Sequence, residues 1–198
     1  DYTENQPVAG NYFTTQYNSD TRNSYSHFVY VGAEHVFTPE LSGAAQAGVQ
    51  YSDYYNDPNG TTTLGPYGQL SVTYAYRPDG KLKVGFTEQQ TATDLVGGNA
   101  GLITGAQTSV AFASIKQQLL TKFFGSVIGT YQNTIYNGDN SPYNNQADNY
   151  YSVGVDLEYR LNPNFSAHTG YNFDRLGSDI PYRSFSRNRV YVGVTASY

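Results

Sequence analysis

Along this chain, short turns and long polar loops follow one another in strict alternation, joined by segments in which apolar and polar residues alternate. That order restricts the fold more than any other property of the sequence. The tight connections are Thr38-Pro39-Glu40, Pro78-Asp79-Gly80, roughly Gln117–Leu119, and Asn162-Pro163-Asn164. The long ones span 55–66, 92–105, 136–148 and 176–186. Between them, period-two alternation predicts ten strands, near 8–17, 25–37, 41–54, 67–76, 81–91, 106–116, 120–135, 149–160, 165–175 and 187–198. In the clearest, Tyr151, Val153, Val155, Leu157 and Tyr159 face one way, and Ser152, Gly154, Asp156, Glu158 and Arg160 the other. Successive strand side chains point to opposite faces, so such a segment presents one apolar and one polar surface. Strands of ten or more residues exceed the ~5–6 common in soluble sheets. They match the ~9–11 that a tilted strand needs to cross hydrocarbon. Connections sorted by length place short turns at one end of an antiparallel meander and long loops at the other, the asymmetry of a membrane barrel.

Composition agrees with this reading. Charged residues make up 14% of the chain, against about 25% in soluble domains. Mean hydropathy is nevertheless −0.54, too polar for a bundle of membrane helices. The charges are replaced by 21 Tyr and 20 Gly, with many Asn, Gln, Ser and Thr, residues suited to strands, turns and membrane interfaces. No apolar run approaches the ~20 residues of a spanning helix. Cysteine is absent, which excludes disulfides, zinc–thiolate sites and thiol nucleophiles. A net charge of −5 offers no basic face to nucleic acid. The chain begins at Asp1 with neither Met nor a signal segment, so the expectation is a mature chain or a piece of a longer one.

The turns fix which residues meet. A three-residue loop at Asn162–Asn164 would pair Leu161 with Phe165, Tyr159 with Ala167 and Val155 with Tyr171, and would set Glu158 opposite His168. A three-residue loop at Pro78-Asp79-Gly80 would pair Tyr76 with Leu82 and Tyr74 with Val84, with Gly80 in the left-handed position. Aromatic residues gather at strand ends. Tyr51, Tyr54, Tyr55, Tyr67, Tyr150 and Phe173 lie toward the long loops, and Phe37, Tyr76, Tyr159, Phe165 and Tyr198 toward the tight turns. Two such bands, with small apolar residues between them, are expected of aromatic girdles.

The last strand alternates Val190, Val192, Val194, Ala196 and Tyr198. Its apolar face and unpaired edge suit recognition by β-augmentation, so these five residues are the expected assembly signal. The segment RSFSRNRVYVGVTASY (183–198) resembles the C-terminus of the putative β-barrel porin family of Gram-negative outer membranes. NSYSHFVYVGAEHVFTPELSGAAQAGVQYSDYY (23–55) is similar to an earlier hairpin of the same family. The resemblance implies an outer-membrane barrel with a pore role, and it supplies no substrate and no catalytic residues. Members of that family are longer than this chain, which leaves two expectations open: ten strands that close by themselves, or the C-terminal part of a larger barrel.

The expected fold is thus all-β, a single antiparallel transmembrane β-barrel domain over 1–198. Its polar, lumen-facing side should carry Glu34, Lys83, Asp156, Glu158, Arg160, His168, Asp174 and Arg189. Four acids against three bases nearly balance, so this set implies no strong ion preference. A narrow barrel would fill its interior with such pairs, whereas a wider one would line a pore with them. No catalytic constellation emerges: the serines at 24 and 26 beside His27 lack a nucleophile elbow, and His27, His35 and His168 have no metal-binding spacing. Asp53–Gly60 lacks the ligand pattern of a calcium loop, and Gly97–Gly101 lacks the lysine and following helix of a phosphate loop. No enzyme, cofactor or metal site is expected. The functions open to the chain are a porin-like diffusion channel, a filled structural barrel whose loops bind a partner, or a soluble or fibrous β-rich surface protein. The expected partners are the lipid bilayer, lipopolysaccharide and the barrel-assembly machinery, with a homo-oligomer as a further option.

Overall fold

The computed structural model describes residues 2–8, 11–17, 23–57, 60–93, 103, 105–138 and 143–196. Eleven strands follow one another: β1 (Tyr2–Val8), β2 (Asn11–Tyr17), β3 (Tyr25–Thr38), β4 (Leu41–Asp53), β5 (Thr62–Arg77), β6 (Gly80–Thr91), β7 (Gly105–Leu120), β8 (Phe123–Asn137), β9 (Ala147–Asn162), β10 (Phe165–Ser178) and β11 (Phe185–Ala196). β3 to β11 form one nine-stranded antiparallel meander in which every strand pairs with its sequence neighbours. β1 and β2 form a separate hairpin. The strand expected near 8–17 is therefore the second arm of that hairpin and lies outside the large sheet, which has nine strands rather than ten. β3 and β11 are its edges, and no ladder joins them among the described residues.

Four tight turns bind the sheet at one end. Each consists of two residues, 39–40, 78–79, 121–122 and 163–164, and each is accompanied by a bulge. The chain repeats a short pattern there: FTPEL, YRPDG, LLTKF and LNPNF. Phe37, Leu119 and Leu161 are the bulged residues of three of them. The structure corrects several expectations here. The third turn lies at 121–122, not near 117–119, because β7 continues to Leu120. Phe165 pairs with Asn162, leaving Leu161 unpaired, while Ala167↔Tyr159, Tyr171↔Val155 and His168↔Glu158 stand as expected. In the second hairpin Arg77 pairs with Gly80, Tyr74 with Leu82 and Val72 with Val84. Gly80 does not adopt a positive φ. Its requirement is space, since a Cβ there would lie 2.7 Å from the Tyr76 ring.

Toward the other end the strands run further than their sequence signal, to 16 residues in β5, β7 and β9. They overshoot a membrane crossing of about 9–11 residues, and the sheet's apolar face changes character at that depth. On β8 this face reads Phe123, Gly125, Val127, Gly129, Tyr131 and then Asn133. On β9 it reads Tyr159, Leu157, Val155, Val153, Tyr151 and then Asn149. Phe123 stands opposite Tyr159 with ring centroids 4.6 Å apart, and Tyr131 opposite Tyr151 at 5.0 Å. These two cross-strand aromatic pairs bracket nine residues of each strand, within which this face is apolar. Above them the Tyr131 hydroxyl donates to Asn149 Oδ1 at 2.8 Å and Asn133 Nδ2 to the same oxygen at 3.1 Å. Three residues expected in the girdle lie elsewhere: Tyr67 and Tyr150 belong to the opposite, polar face, as the register of their strands requires, and Tyr54, just past β4, is buried. Tyr67 packs on the polar face against Phe28 and Tyr30.

Candidate functional site

The ladder register carries one polar face across all nine strands of the sheet. It places Glu34 on β3, Lys83 on β6, Asp156, Glu158 and Arg160 on β9, His168 and Asp174 on β10, and Arg189 on β11 on that same face. The opposite face carries Val29, Val31, Val49, Leu70, Val84, Val127, Val155, Val190, Val192 and Val194, all well exposed. Exposed aliphatic residues in such continuity need a partner surface.

On the polar face the charges gather in three clusters. In the first, Asp174 is fully buried beneath two arginines. Its Oδ1 accepts from the Tyr150 hydroxyl at 2.9 Å and from Ser152 Oγ at 3.0 Å. Its Oδ2 accepts from Arg187 Nε at 3.1 Å and Nη2 at 2.9 Å, and Arg189 Nη2 lies 2.9 Å away. In the second, nearer the tight turns, Glu158 Oε1 accepts from Arg160 Nε at 2.7 Å, and Oε2 lies 3.6 Å from Lys116 Nζ. The Arg160 guanidinium rests 3.8 Å from the centroid of the Phe124 ring, a cation–π contact that holds it flat against the sheet. Nearest the long loops, the third cluster has Asp148 Oδ2 accepting from Arg183 Nε and from the Tyr136 hydroxyl, both at 2.7 Å. Arg183 Nη2 also donates to the Tyr136 oxygen at 3.0 Å. Between clusters, the Tyr191 hydroxyl donates to Asp156 Oδ2 at 2.8 Å. Glu34 and Lys83 stand apart from all three, Lys83 with its ammonium 5.7 Å from the centre of the Phe112 ring.

Five charged members of this face escaped the sequence reading: Lys81, Lys116, Asp148, Arg183 and Arg187. Lys81 and Arg187 carried a usable signal, since each precedes a recognised residue of the same face by two positions. Lys116 closes a segment, 106–116, in which both faces carry apolar residues, so alternation leaves its face open, and Asp148 precedes by one residue the strand expected at 149–160. Arg183 belongs to a loop, and only tertiary structure brings it to Asp148. The balance changes accordingly. Among the described strand residues, six bases (Lys81, Lys83, Lys116, Arg160, Arg187, Arg189) now face five acids (Glu34, Asp148, Asp156, Glu158, Asp174), and Arg183 adds a seventh base.

At the long-loop end, Ile103, Ala106, Tyr136 and Ile180 form a small buried core, with Tyr143 packed against it. Ala106 and Tyr136 are cross-strand partners on the polar face. Ile103 after β6, Tyr143 after β8 and Ile180 after β10 therefore pack over that face. Beside them lies a cavity of about 330 Å³ lined by Thr91, Thr108, Thr134, Tyr136, Asp148 and Arg183 among others. The hydroxyls of Thr91, Thr108 and Thr134 form a ladder across β6, β7 and β8, with spacings of 2.9 and 3.4 Å. The loop residue Tyr54 is also buried, and burial raises its phenol above the ordinary value, opposed by a hydrogen bond with Thr63. Among the described residues no group of three or more His, Asp or Glu could hold a metal ion. Of the expected assembly signal, Val190, Val192, Val194 and Ala196 lie on the apolar face of the edge strand β11. Tyr198 lies outside the described residues.

The sequence profile of the family described as "Putative beta-barrel porin 2" matches residues 9–198. Among solved structures, the chain is similar to the outer-membrane expressed OmpT of Vibrio cholerae, with a TM-score of 0.52 at 13% identity. That match covers 89% of this chain, which spans 57% of the length of the Vibrio protein. A second similar structure is the Ralstonia pickettii toluene transporter TbuX, with a TM-score of 0.41 at 11% identity, covering 94% of this chain and 75% of the other. None of the curated proteins matches.

Proposed function

Because the chain belongs to this family of β-barrel porins, we propose that it contributes the wall of a diffusion channel for small hydrophilic solutes in a bacterial outer membrane. One observation carries the reading: a girdled apolar face backs a polar face whose basic side chains reach solvent along the length of the strands. Lipid would meet Val155 and its neighbours. The eight residues Glu34, Lys83, Asp156, Glu158, Arg160, His168, Asp174 and Arg189 would line the lumen, because turning a charge to lipid costs about 2–4 kcal/mol at the midplane. The long loops would face outward toward lipopolysaccharide. The exposed valines of β11, 72–80% accessible at Val190, Val192 and Val194, would serve the assembly machinery as a template for strand addition. No catalytic step is assigned.

A second reading is supported by the buried cluster of Ile103, Tyr136 and Ile180. Loop residues packed over the polar face in this way suit a closed, structural barrel that presents its loops to a partner. Planar-bilayer recording separates the two. Protein that has inserted, shown by heat-modifiable migration, should give discrete conductance steps. Inserted protein without any conductance would remove the channel and leave the structural barrel.

A further inference from the structure

We propose that the wall formed by β7 and β9 to β11 is a cationic track that selects small oxyanions, carboxylates and phosphates among them, over cations. This deepens the channel reading and rests on it. Three independent ion clusters share one arrangement: the carboxylate is underneath and the base is on top. Asp174 has a fully buried side chain, while those of Arg187 and Arg189 are 51% and 50% exposed. Glu158 is 14% exposed beneath Lys116 at 58% and Arg160 at 49%. Asp148 is 6% exposed and Arg183 28%. Two of the three carboxylates carry two bases each. A solute approaching this wall meets guanidinium and ammonium groups and not the acids that hold them.

The order of the clusters gives the track its length. Lys116 and Arg160 stand near the tight turns, Arg187 and Arg189 midway, and Arg183 at the long loops. From residue 160 to residue 148, β9 runs about 40 Å at ~3.3 Å per residue. Guanidinium groups offer paired N–H donors matched to carboxylate and phosphate oxygens. Each is already partly neutralised by its buried acid, so an anion is held weakly. Conduction needs that combination, with binding strong enough to enter and weak enough to leave. Of the remaining acids, Asp156 lies within the track as one carboxylate against the five bases of the three clusters, with the Tyr191 hydroxyl on its Oδ2, and Glu34 lies on β3 at the opposite edge of the sheet.

The test is the reversal potential of the full chain in planar bilayers under a potassium chloride gradient. Chloride should permeate several-fold better than potassium at low salt. The ratio should fall toward one at about 1 M salt, where the screening length shrinks to about 3 Å. Replacing Arg187 and Arg189 with Gln together with Asp174→Asn removes two bases and one acid, so no buried charge is stranded. The folded triple variant should lose most of the chloride preference. Inorganic phosphate, added at constant ionic strength, should reduce chloride current in the wild type and much less in the triple variant. A potassium-selective or unselective wild-type channel would overturn the anion track while leaving the channel itself standing. A selectivity unchanged in the triple variant, or no effect of phosphate, would equally overturn it. An inserted protein with no conductance refutes the channel reading instead.

Discussion

His168 stands directly across the β9–β10 ladder from Glu158, yet the two side chains turn to different partners. Glu158 takes Arg160 and Lys116. His168 Nε2 hydrogen-bonds Ser166 Oγ at 3.0 Å and Thr195 Oγ1 at 3.2 Å. The imidazole thus ties β10 to β11, while the carboxylate ties β9 to β7 across β8. One register position links four strands on the polar face.

The two faces should respond oppositely to the same substitution. Val155 lies mid-strand on the apolar face, between Val127 and Tyr171. Val155→Arg should destabilise the barrel by about 2–4 kcal/mol, the cost of an arginine at the bilayer midplane. Ile128→Arg, one residue along from Val127 and exposed on the polar face opposite Gly154, should cost about 1 kcal/mol or less. Urea unfolding in lipid vesicles measures both, and equal costs would contradict the assignment of faces.

Asp174 is the counter-charge of two arginines and the acceptor of two hydroxyls. Asp174→Ala should lower stability by about 1–3 kcal/mol, the range for lost hydrogen bonds to a charged group. The solvent exposure of Arg187 and Arg189 keeps the cost below that of stranding a fully buried charge. A variant as stable as the wild type would show that the cluster contributes nothing to the fold.

Gly170 lets Tyr191 lie across β10. A Cβ at that position would sit 2.3 Å from the tyrosine ring and hydroxyl, and the hydroxyl reaches on to Asp156. Gly170→Ala should push the ring aside and cost about 1–3 kcal/mol, as overpacking does. Tyr191→Phe keeps the ring and loses one hydrogen bond, so about 1 kcal/mol is expected. If Tyr191→Phe proves worse than Gly170→Ala in chemical denaturation, the close packing is not the dominant contribution.

Tyr54 links the loop after β4 to pH. Burial favours its neutral phenol, so its value in the folded protein lies above its unfolded one. A raised value means that the stabilisation is complete below about pH 10 and is lost as pH climbs through the folded value. The thermal midpoint of the wild type should therefore fall more steeply above pH 10 than that of Tyr54→Phe. Parallel curves would show that ionisation of Tyr54 is not linked to folding.

The sequence by itself determined the two faces wherever alternation is clear, as on β9 and β10. Period-two alternation survives any shift by two residues. It also survives replacement of a three-residue loop by a two-residue turn with one bulged residue, because the residue count is the same. This is why His168↔Glu158 and Tyr171↔Val155 were legible although Leu161↔Phe165 was not, and why the faces of β5 and β6 came out right although their pairs slid by two. The same alternation revealed the candidate polar residues and the two aromatic levels. Tertiary structure alone decided where β7 turns, since both faces of 106–135 carry apolar residues and local pattern cannot place the break. It also decided that Arg183 reaches Asp148 across 35 residues of chain, a contact set by how a loop folds back. Above all it decided which partner of each ion pair is covered. Alternation assigns acid and base to the same face equally, whereas depth on that face depends on side-chain length. Short Asp174 sinks against the sheet, and the longer arginines arch over it to reach water.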